Sequence, residues 1–132
     1  MKVIVILGML GSGKTTFLNS LLSGLSPGAR KLVIVNDVGE TNIDATRLSR
    51  VADVQSLTAG CIGCSDLGTF VRVMREAAGL GLDYLFIEPT GIADGREIVR
   101  AVQMVHQETN DPSLSLLVLT LMSVAHHTRA CA

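Results

Sequence analysis

Charged residues are scarce in this sequence, and the few present are balanced in sign. Only 17% of the 132 residues are charged, the net charge at pH 7 is -1, and the pI is near 6.3. Lysine and arginine form no cluster anywhere along the chain. Because binding to a phosphodiester backbone needs a basic surface, we expect no nucleic acid among the partners of this chain.

Long apolar runs are also missing. No run approaches the roughly 20 residues that a membrane-spanning helix needs. The short apolar run after Lys2 leads into glycines rather than into a cleavage site for a signal peptide. We therefore expect no membrane association and a cytoplasmic location. In that compartment the three cysteines are expected to be thiols or metal ligands rather than disulfides.

The chain does contain a series of short apolar runs separated by helix-like segments, and 48% of its residues are hydrophobic. This alternation predicts a single α/β domain over residues 1–132, with a mainly parallel sheet that is buried on both faces. The predicted strands are 3–7, 31–36, 51–58, 82–87 and 114–121, and the predicted helices are 15–25, 43–50, 66–78 and 94–107.

Residues 8–15, Gly-Met-Leu-Gly-Ser-Gly-Lys-Thr, match the whole pattern G-x-x-x-x-G-K-[S/T], between a predicted strand and a predicted helix. Glycine at positions Gly8, Gly11 and Gly13 allows backbone conformations that other residues rarely adopt. Successive backbone N–H groups, including that of Ser12, are then expected to form a concave nest for phosphate oxygens. The pattern predicts a nucleoside triphosphate site.

The residues that close this pattern have separate expected roles. Lys14 is expected to contact the β- and γ-phosphates, and the Thr15 hydroxyl to complete the coordination shell of Mg²⁺. Thr16 is placed to bond the α-phosphate. The alternative is a glycine-rich turn with a solvated lysine. The loop by itself does not distinguish a GTPase from an ATPase or a kinase.

Three further segments follow in order: Asn-Asp-Val-Gly-Glu-Thr-Asn-Ile-Asp at 36–44, Gly-Cys-Ile-Gly-Cys at 60–64, and Glu-Pro-Thr-Gly-Ile-Ala-Asp at 88–94. Behind a Gly-Ser-Gly-Lys-Thr-Thr loop, this order resembles the metal-chaperone GTPases CobW, UreG and HypB, and CobW-like proteins most closely. The resemblance covers about residues 2–95. It implies a three-layer P-loop NTPase fold with helices on both sheet faces, GTP and Mg²⁺ as ligands, and transition-metal delivery to a client metalloprotein coupled to hydrolysis.

The same resemblance assigns roles to residues beyond the loop. Glu88 would hold Mg²⁺ through water, and the Gly91 N–H would sense the γ-phosphate. A carboxylate at the carboxyl end of a parallel strand also faces the crevice where such folds bind ligands. Asp37 stands in the position of a switch loop, where the family commonly has glutamate. It is a candidate to orient the attacking water or to bind metal, with an Asx turn or a helix cap as the alternative.

CobW-like proteins usually show Gly-Cys-x-Cys-Cys, but here Gly63 replaces the middle cysteine and leaves Cys61 and Cys64 as a C-x-x-C pair. This spacing lets two thiolates bind one soft ion such as Zn²⁺, Ni²⁺ or Co²⁺. Further ligands would come from Asp37, from water or from a second copy of the chain, so a homodimer is one expected assembly. The alternatives are a redox pair and two structurally inert thiols.

The sequence departs from the family toward its end. The Asn/Thr-Lys-x-Asp motif that selects guanine is absent, and the segment after about residue 123 no longer resembles the family. We therefore expect a G domain that is incomplete at its C-terminus, with an exposed apolar sheet edge that favours self-association. Two other functions stay open: a nucleotide- and metal-binding module without turnover, and a small-molecule kinase that uses Arg96 and Arg100.

Overall fold

The computed structural model describes residues 1–35, 53–56, 67–89 and 95–122. The helices and strands of the described residues follow one another in the predicted order. In chain order they are β1 (Lys2–Gly8), α1 (Lys14–Ser23), β2 (Lys31–Val35), β3 (Asp53–Ser56), α2 (Leu67–Gly79), β4 (Tyr84–Glu88), α3 (Gly95–Thr109) and β5 (Ser115–Leu121).

The five strands form one sheet in the order β3–β2–β4–β1–β5, and every pairing is parallel. Strand β1 therefore lies between β4 and β5, with Val3 level with Leu85 on one side and Leu116 on the other. Because all the strands run in one direction, their carboxyl ends meet at the same edge of the sheet. That edge carries Gly8 and Glu88.

Successive residues of each strand point to opposite faces of the sheet, because the side-chain period of a strand is two. In β1, Val3 and Val5 join a core that is formed with α2 and α3. Ile4 and Ile6 join a second core, which is formed with α1. Helices thus cover both faces of a parallel sheet, which confirms the predicted three-layer α/β fold.

The helices bury narrow apolar stripes. In α3 a stripe of apolar residues spaced three and four apart is buried, namely Ile98, Ala101, Val102 and Val105. On the outer surface of the helix pair, Arg75 donates two hydrogen bonds of 2.7 Å to the Glu108 carboxylate. These bonds and the arginine charge lower the pKa of Glu108.

Within the described ranges, no helix has the length and apolar character that crossing a membrane requires.

Several predicted boundaries differ from the observed ones by two residues, and local structure explains two of them. Helix α1 stops at Ser23 rather than at residue 25, and the Gly24 N–H caps its last turn by donating to Ser20 O and Leu21 O. Strand β4 starts at Tyr84 rather than at residue 82, since the preceding turn has Gly81 at φ 64°. The predicted helix 43–50 lies outside the described residues.

Candidate functional site

The loop between β1 and α1 has the backbone conformation that its glycines predict. Gly8, Gly11 and Gly13 have φ values of 149°, 75° and 86°. Residues other than glycine rarely adopt such angles. A Cβ atom added to Gly11 or Gly13 would meet no atom of the described residues within 4 Å. These two glycines are therefore required by the backbone itself, and no described residue fills the space beside them.

Gly8 is required for a different reason. A Cβ atom at this position would lie 2.6 Å from Ser12 Oγ and 2.7 Å from the carbonyl oxygen of Leu121, the last residue of β5. The first glycine of the loop is thus packed between the loop and the neighbouring strand. Ser12 Oγ itself is buried and has no hydrogen-bond partner among the described residues. Unsatisfied buried hydroxyls are rare in native proteins, so this one fits a loop that receives a polar ligand.

Lys14 folds back across the loop. Its side chain is buried, and Nζ donates a 3.0 Å hydrogen bond to the carbonyl oxygen of Met9. The same carbonyl accepts the backbone N–H of Ser12 at 3.1 Å, which closes the turn. Lys14 is therefore not the solvated side chain of an ordinary glycine-rich turn. A largely buried ammonium beneath an open loop favours an anionic ligand, because burying an unpaired charge is costly.

Helix α1 begins directly after the loop and presents unused N–H groups to it. Gly13 is its N-cap residue, no side chain in the described part of the chain caps the helix start, and no acidic residue occupies its first turn. The first N–H groups of a helix have no partner within the helix, and the helix dipole makes this end positive. Thr16 is exposed in this first turn. The start of α1 can therefore bind an anion, as predicted for a phosphate.

Thr15 and Glu88, which the sequence separates widely, are in direct contact. Thr15 Oγ1 donates to Glu88 Oε1 at 2.9 Å, with Oε2 at 3.3 Å. Glu88 is buried at the carboxyl end of β4, the strand beside β1. A hydroxyl and a carboxylate are oxygen ligands of the kind that Mg²⁺ takes in proteins. These two residues fit the magnesium ion that the phosphate loop implies.

Four predicted residues lie outside the described part of the chain: Asp37, Cys61, Cys64 and Gly91. Within the described part, no group of three or more histidine, cysteine, aspartate or glutamate side chains is placed to hold a metal ion. A transition-metal site at the C-x-x-C pair therefore stays a prediction.

Two contacts of the loop were not predicted from the sequence. The Met9 carbonyl holds Lys14, and the Leu121 backbone packs against Gly8. Every residue has a carbonyl group, so the identity of Met9 carries no signal for the first contact. The second depends on β5 lying beside β1, and the apolar pattern of β5 indicates a strand without naming its neighbour.

The family model of the CobW/HypB/UreG nucleotide-binding domain matches residues 2–130. The prediction that the resemblance ends near residue 123 is therefore wrong, because the match extends beyond that position. The chain belongs to the CobW/HypB/UreG family. Among curated proteins, the zinc chaperone CobW of Pseudomonas aeruginosa is 35% identical over 115 aligned positions, which cover 78% of this chain and 30% of that protein. The zinc-regulated GTPase metalloprotein activator 1 of Dictyostelium discoideum is 37% identical over 111 positions, which cover 71% of this chain and 23% of that protein.

The chain thus spans less than a third of the length of these family members.

Its fold is also that of a solved family member. The crystal structure of the hydrogenase maturation factor HypB from Archaeoglobus fulgidus matches with a TM-score of 0.56 at 13% identity, covering 91% of this chain and 81% of that one. The predicted family and the predicted fold are both confirmed.

The packing of Gly8 makes a prediction about the loop. Gly8→Ala forces a Cβ atom against Leu121 O and Ser12 Oγ, so we expect it to lower the free energy of unfolding by about 1–3 kcal/mol. Urea denaturation followed by circular dichroism measures this change. Gly28→Ala is the matched control, because a Cβ atom there meets nothing within 4 Å. Equal stability of the two variants would show that Gly8 is not packed as described.

Proposed function

We propose that this chain binds GTP with Mg²⁺ at its phosphate loop and hydrolyses it, and that the bound nucleotide controls delivery of a transition metal to a client metalloprotein. The contact between Thr15 and Glu88 carries the proposal, because it joins the loop to the carboxylate that the family places beside the phosphates. Membership of a nucleotide-binding family supports the choice of ligand. The names of the relatives, zinc chaperone and zinc-regulated GTPase metalloprotein activator, support a transition metal as the cargo.

The loop would bind the triphosphate through its backbone and through one charge. The N–H groups around Gly11 and Gly13 would donate to phosphate oxygens, since no described residue fills the space beside these glycines. Lys14 would exchange its bond to the Met9 carbonyl for bonds to the β- and γ-phosphates. An ammonium group has three hydrogen-bond donors and no acceptor. Phosphate oxygens can therefore accept more of its hydrogen bonds than the single Met9 carbonyl does.

Thr15 and Glu88 would hold the magnesium ion. A hydroxyl has one donor and two acceptor lone pairs, so Thr15 can keep its bond to Glu88 and still offer a lone pair to a cation. Glu88 would act through water, since Mg²⁺ usually keeps several of its water ligands. Bound Mg²⁺ supplies charge that bridges and neutralises the β- and γ-phosphate oxygens.

Hydrolysis would rest on positioning and electrostatic stabilisation rather than on covalent chemistry. We assign the orientation of the attacking water to Asp37 and the sensing of the γ-phosphate to the Gly91 N–H. Both assignments follow from the order of the family segments at 36–44 and 88–94.

The cargo metal would bind at Cys61 and Cys64. Thiolates favour Zn²⁺, and Ni²⁺ and Co²⁺ also suit such a site. Because the names of both relatives include zinc, Zn²⁺ is the first candidate for the cargo metal. Two protein thiolates leave a tetrahedral ion with open positions, which suits a carrier that must release its metal. Asp37, water or a second copy of the chain would supply the remaining ligands.

We predict that Lys14→Ala weakens GTP binding by at least about thirtyfold, or about 2 kcal/mol, because it removes a buried charge that pairs with phosphate. Isothermal titration of GTP and of ATP in Mg²⁺ measures this effect. Lys31→Ala is the matched control, since Lys31 is the first residue of β2 and lies at the amino ends of the strands, away from the phosphate loop. The wild type should bind GTP more tightly than ATP and release phosphate without an added acceptor.

The other outcomes separate the competing functions. Binding without phosphate release would indicate a nucleotide-binding module. Phosphate transfer only to an added small molecule would indicate a kinase. If the wild type and Lys14→Ala bound GTP equally well, the loop would not be the nucleotide-binding site.

We also predict that one Zn²⁺ binds each Cys61–Cys64 pair, and that Cys61→Ser and Cys64→Ser each abolish this binding because one thiolate cannot hold the ion. Competition with a chromophoric zinc chelator measures the affinity. Cys131→Ser is the matched control, as Cys131 is the one other cysteine of the sequence. Linkage requires that Zn²⁺ change the GTP affinity by the same factor as GTP changes the Zn²⁺ affinity. Zinc binding that survives both serine variants would place the metal elsewhere.

A further inference from the structure

Among the described residues, Ser12 Oγ is the one buried side-chain polar atom that has no hydrogen-bond partner. Native proteins rarely leave a buried hydroxyl unsatisfied, because it has given up its bonds to water without replacing them. The atom is closed off from bulk solvent, so no outside group reaches it while the loop keeps this conformation. A partner for Ser12 therefore has to come from the groups that already surround it.

The carbonyl oxygen of Leu121 is such a group. A Cβ atom added to Gly8 would lie 2.6 Å from Ser12 Oγ and 2.7 Å from Leu121 O. The two oxygens therefore lie beside the same point, and the missing side chain of Gly8 leaves the path between them open. A hydroxyl donates one hydrogen bond, and a carbonyl oxygen can accept two. The place of Leu121 in the sheet therefore does not prevent a bond from Ser12.

The backbone of Ser12 is held by a turn of the loop. Its N–H donates to the Met9 carbonyl at 3.1 Å, and Lys14 Nζ donates to the same oxygen at 3.0 Å. Hydrogen bonds to a charged phosphate oxygen are stronger than those to a neutral carbonyl. A bound triphosphate would therefore draw both donors away from Met9, and Ser12 would be free to shift toward Leu121.

We propose that Ser12 is a positioning residue of the phosphate loop, and that its hydroxyl donates a hydrogen bond to the Leu121 carbonyl when a triphosphate is bound. This role rests on the proposed binding of GTP. The bond fixes the loop to the carboxyl end of β5, as the contact of Thr15 with Glu88 fixes α1 to the end of β4. In this arrangement the Ser12 N–H contacts phosphate and the Ser12 hydroxyl does not.

A hydroxyl that is unsatisfied in the free protein and bonded in the complex has opposite effects in the two states. In the free protein it lowers stability, because a buried polar group without a partner keeps its desolvation penalty. In the complex the new bond removes that penalty, so part of the affinity for nucleotide comes from Ser12. A side chain with a merely structural role would instead stabilise the free protein.

The variant Ser12→Ala separates these two effects. Without nucleotide, urea denaturation followed by circular dichroism should show a stability equal to or above that of the wild type. In Mg²⁺, isothermal titration should show GTP binding at least about threefold weaker, as expected for the loss of one hydrogen bond between uncharged groups. Ser23→Ala is the matched control, because Ser23 Oγ bonds the Asn19 carbonyl at 2.8 Å in the last turn of α1. It should leave the GTP affinity unchanged.

The Leu121 carbonyl can be observed directly by NMR. The pair Leu-Met occurs once in the sequence, at 121–122. Labelling leucine carbonyls with ¹³C and methionine amides with ¹⁵N therefore selects this one peptide bond. Accepting a hydrogen bond moves a carbonyl ¹³C resonance to lower field. A saturating amount of a non-hydrolysable GTP analogue should shift the wild-type resonance downfield, and should shift that of Ser12→Ala much less.

The proposal is overturned by an unchanged GTP affinity in Ser12→Ala, by a loss of stability of that variant without nucleotide, or by a carbonyl shift that does not depend on Ser12. A wild type that binds neither GTP nor ATP would overturn the proposed function and this role with it. Normal GTP binding by Ser12→Ala together with weak binding by Lys14→Ala would keep the nucleotide site and remove only the role of Ser12. The two failures are therefore distinguishable.

Discussion

The parallel pairing of β1 between β4 and β5 determines which groups meet at the phosphate loop. It brings Gly8, Glu88 and Leu121 to one edge of the sheet, although they are far apart in the sequence. The hydrogen bond from Thr15 to Glu88 then joins the first turn of α1 to the end of β4. The loop gains a carboxylate because the carboxyl end of β4 lies beside the carboxyl end of β1.

The positions of the buried charged side chains indicate that the carboxyl ends of the strands form a binding site. Among the described residues, the two charged side chains that are buried are Lys14 and Glu88. Burying a charged side chain costs free energy, and well-packed apolar side chains often stabilise a fold as much, so stability alone does not account for either residue. Both lie at the phosphate loop. The apolar core provides the fold, and these two residues provide the charge with which an anion and a cation can be held together.

Most of the fold and part of the site could be predicted from the sequence, and the difference has a physical cause. The stripe of Ile98, Ala101, Val102 and Val105 and the positive φ values of the loop glycines follow from local rules of periodicity and sterics. The neighbour of β5 and the packing of Gly8 on Leu121 do not, because strand order depends on contacts distant in sequence. Glu88 was predicted through the family resemblance, which carries information on strand order that local patterns lack.

A double-mutant cycle on the magnesium dependence would show whether Thr15 and Glu88 hold Mg²⁺ together when a triphosphate is bound. The affinity for GTP would be measured with and without Mg²⁺ in the wild type, Thr15→Val, Glu88→Gln and the double variant. We expect Mg²⁺ to tighten GTP binding in the wild type and much less in either single variant. The coupling between the two sites should be about 0.5–3 kcal/mol, as for residues in contact. A full magnesium effect in both single variants, or losses that simply add in the double variant, would show that the two residues do not hold the ion together.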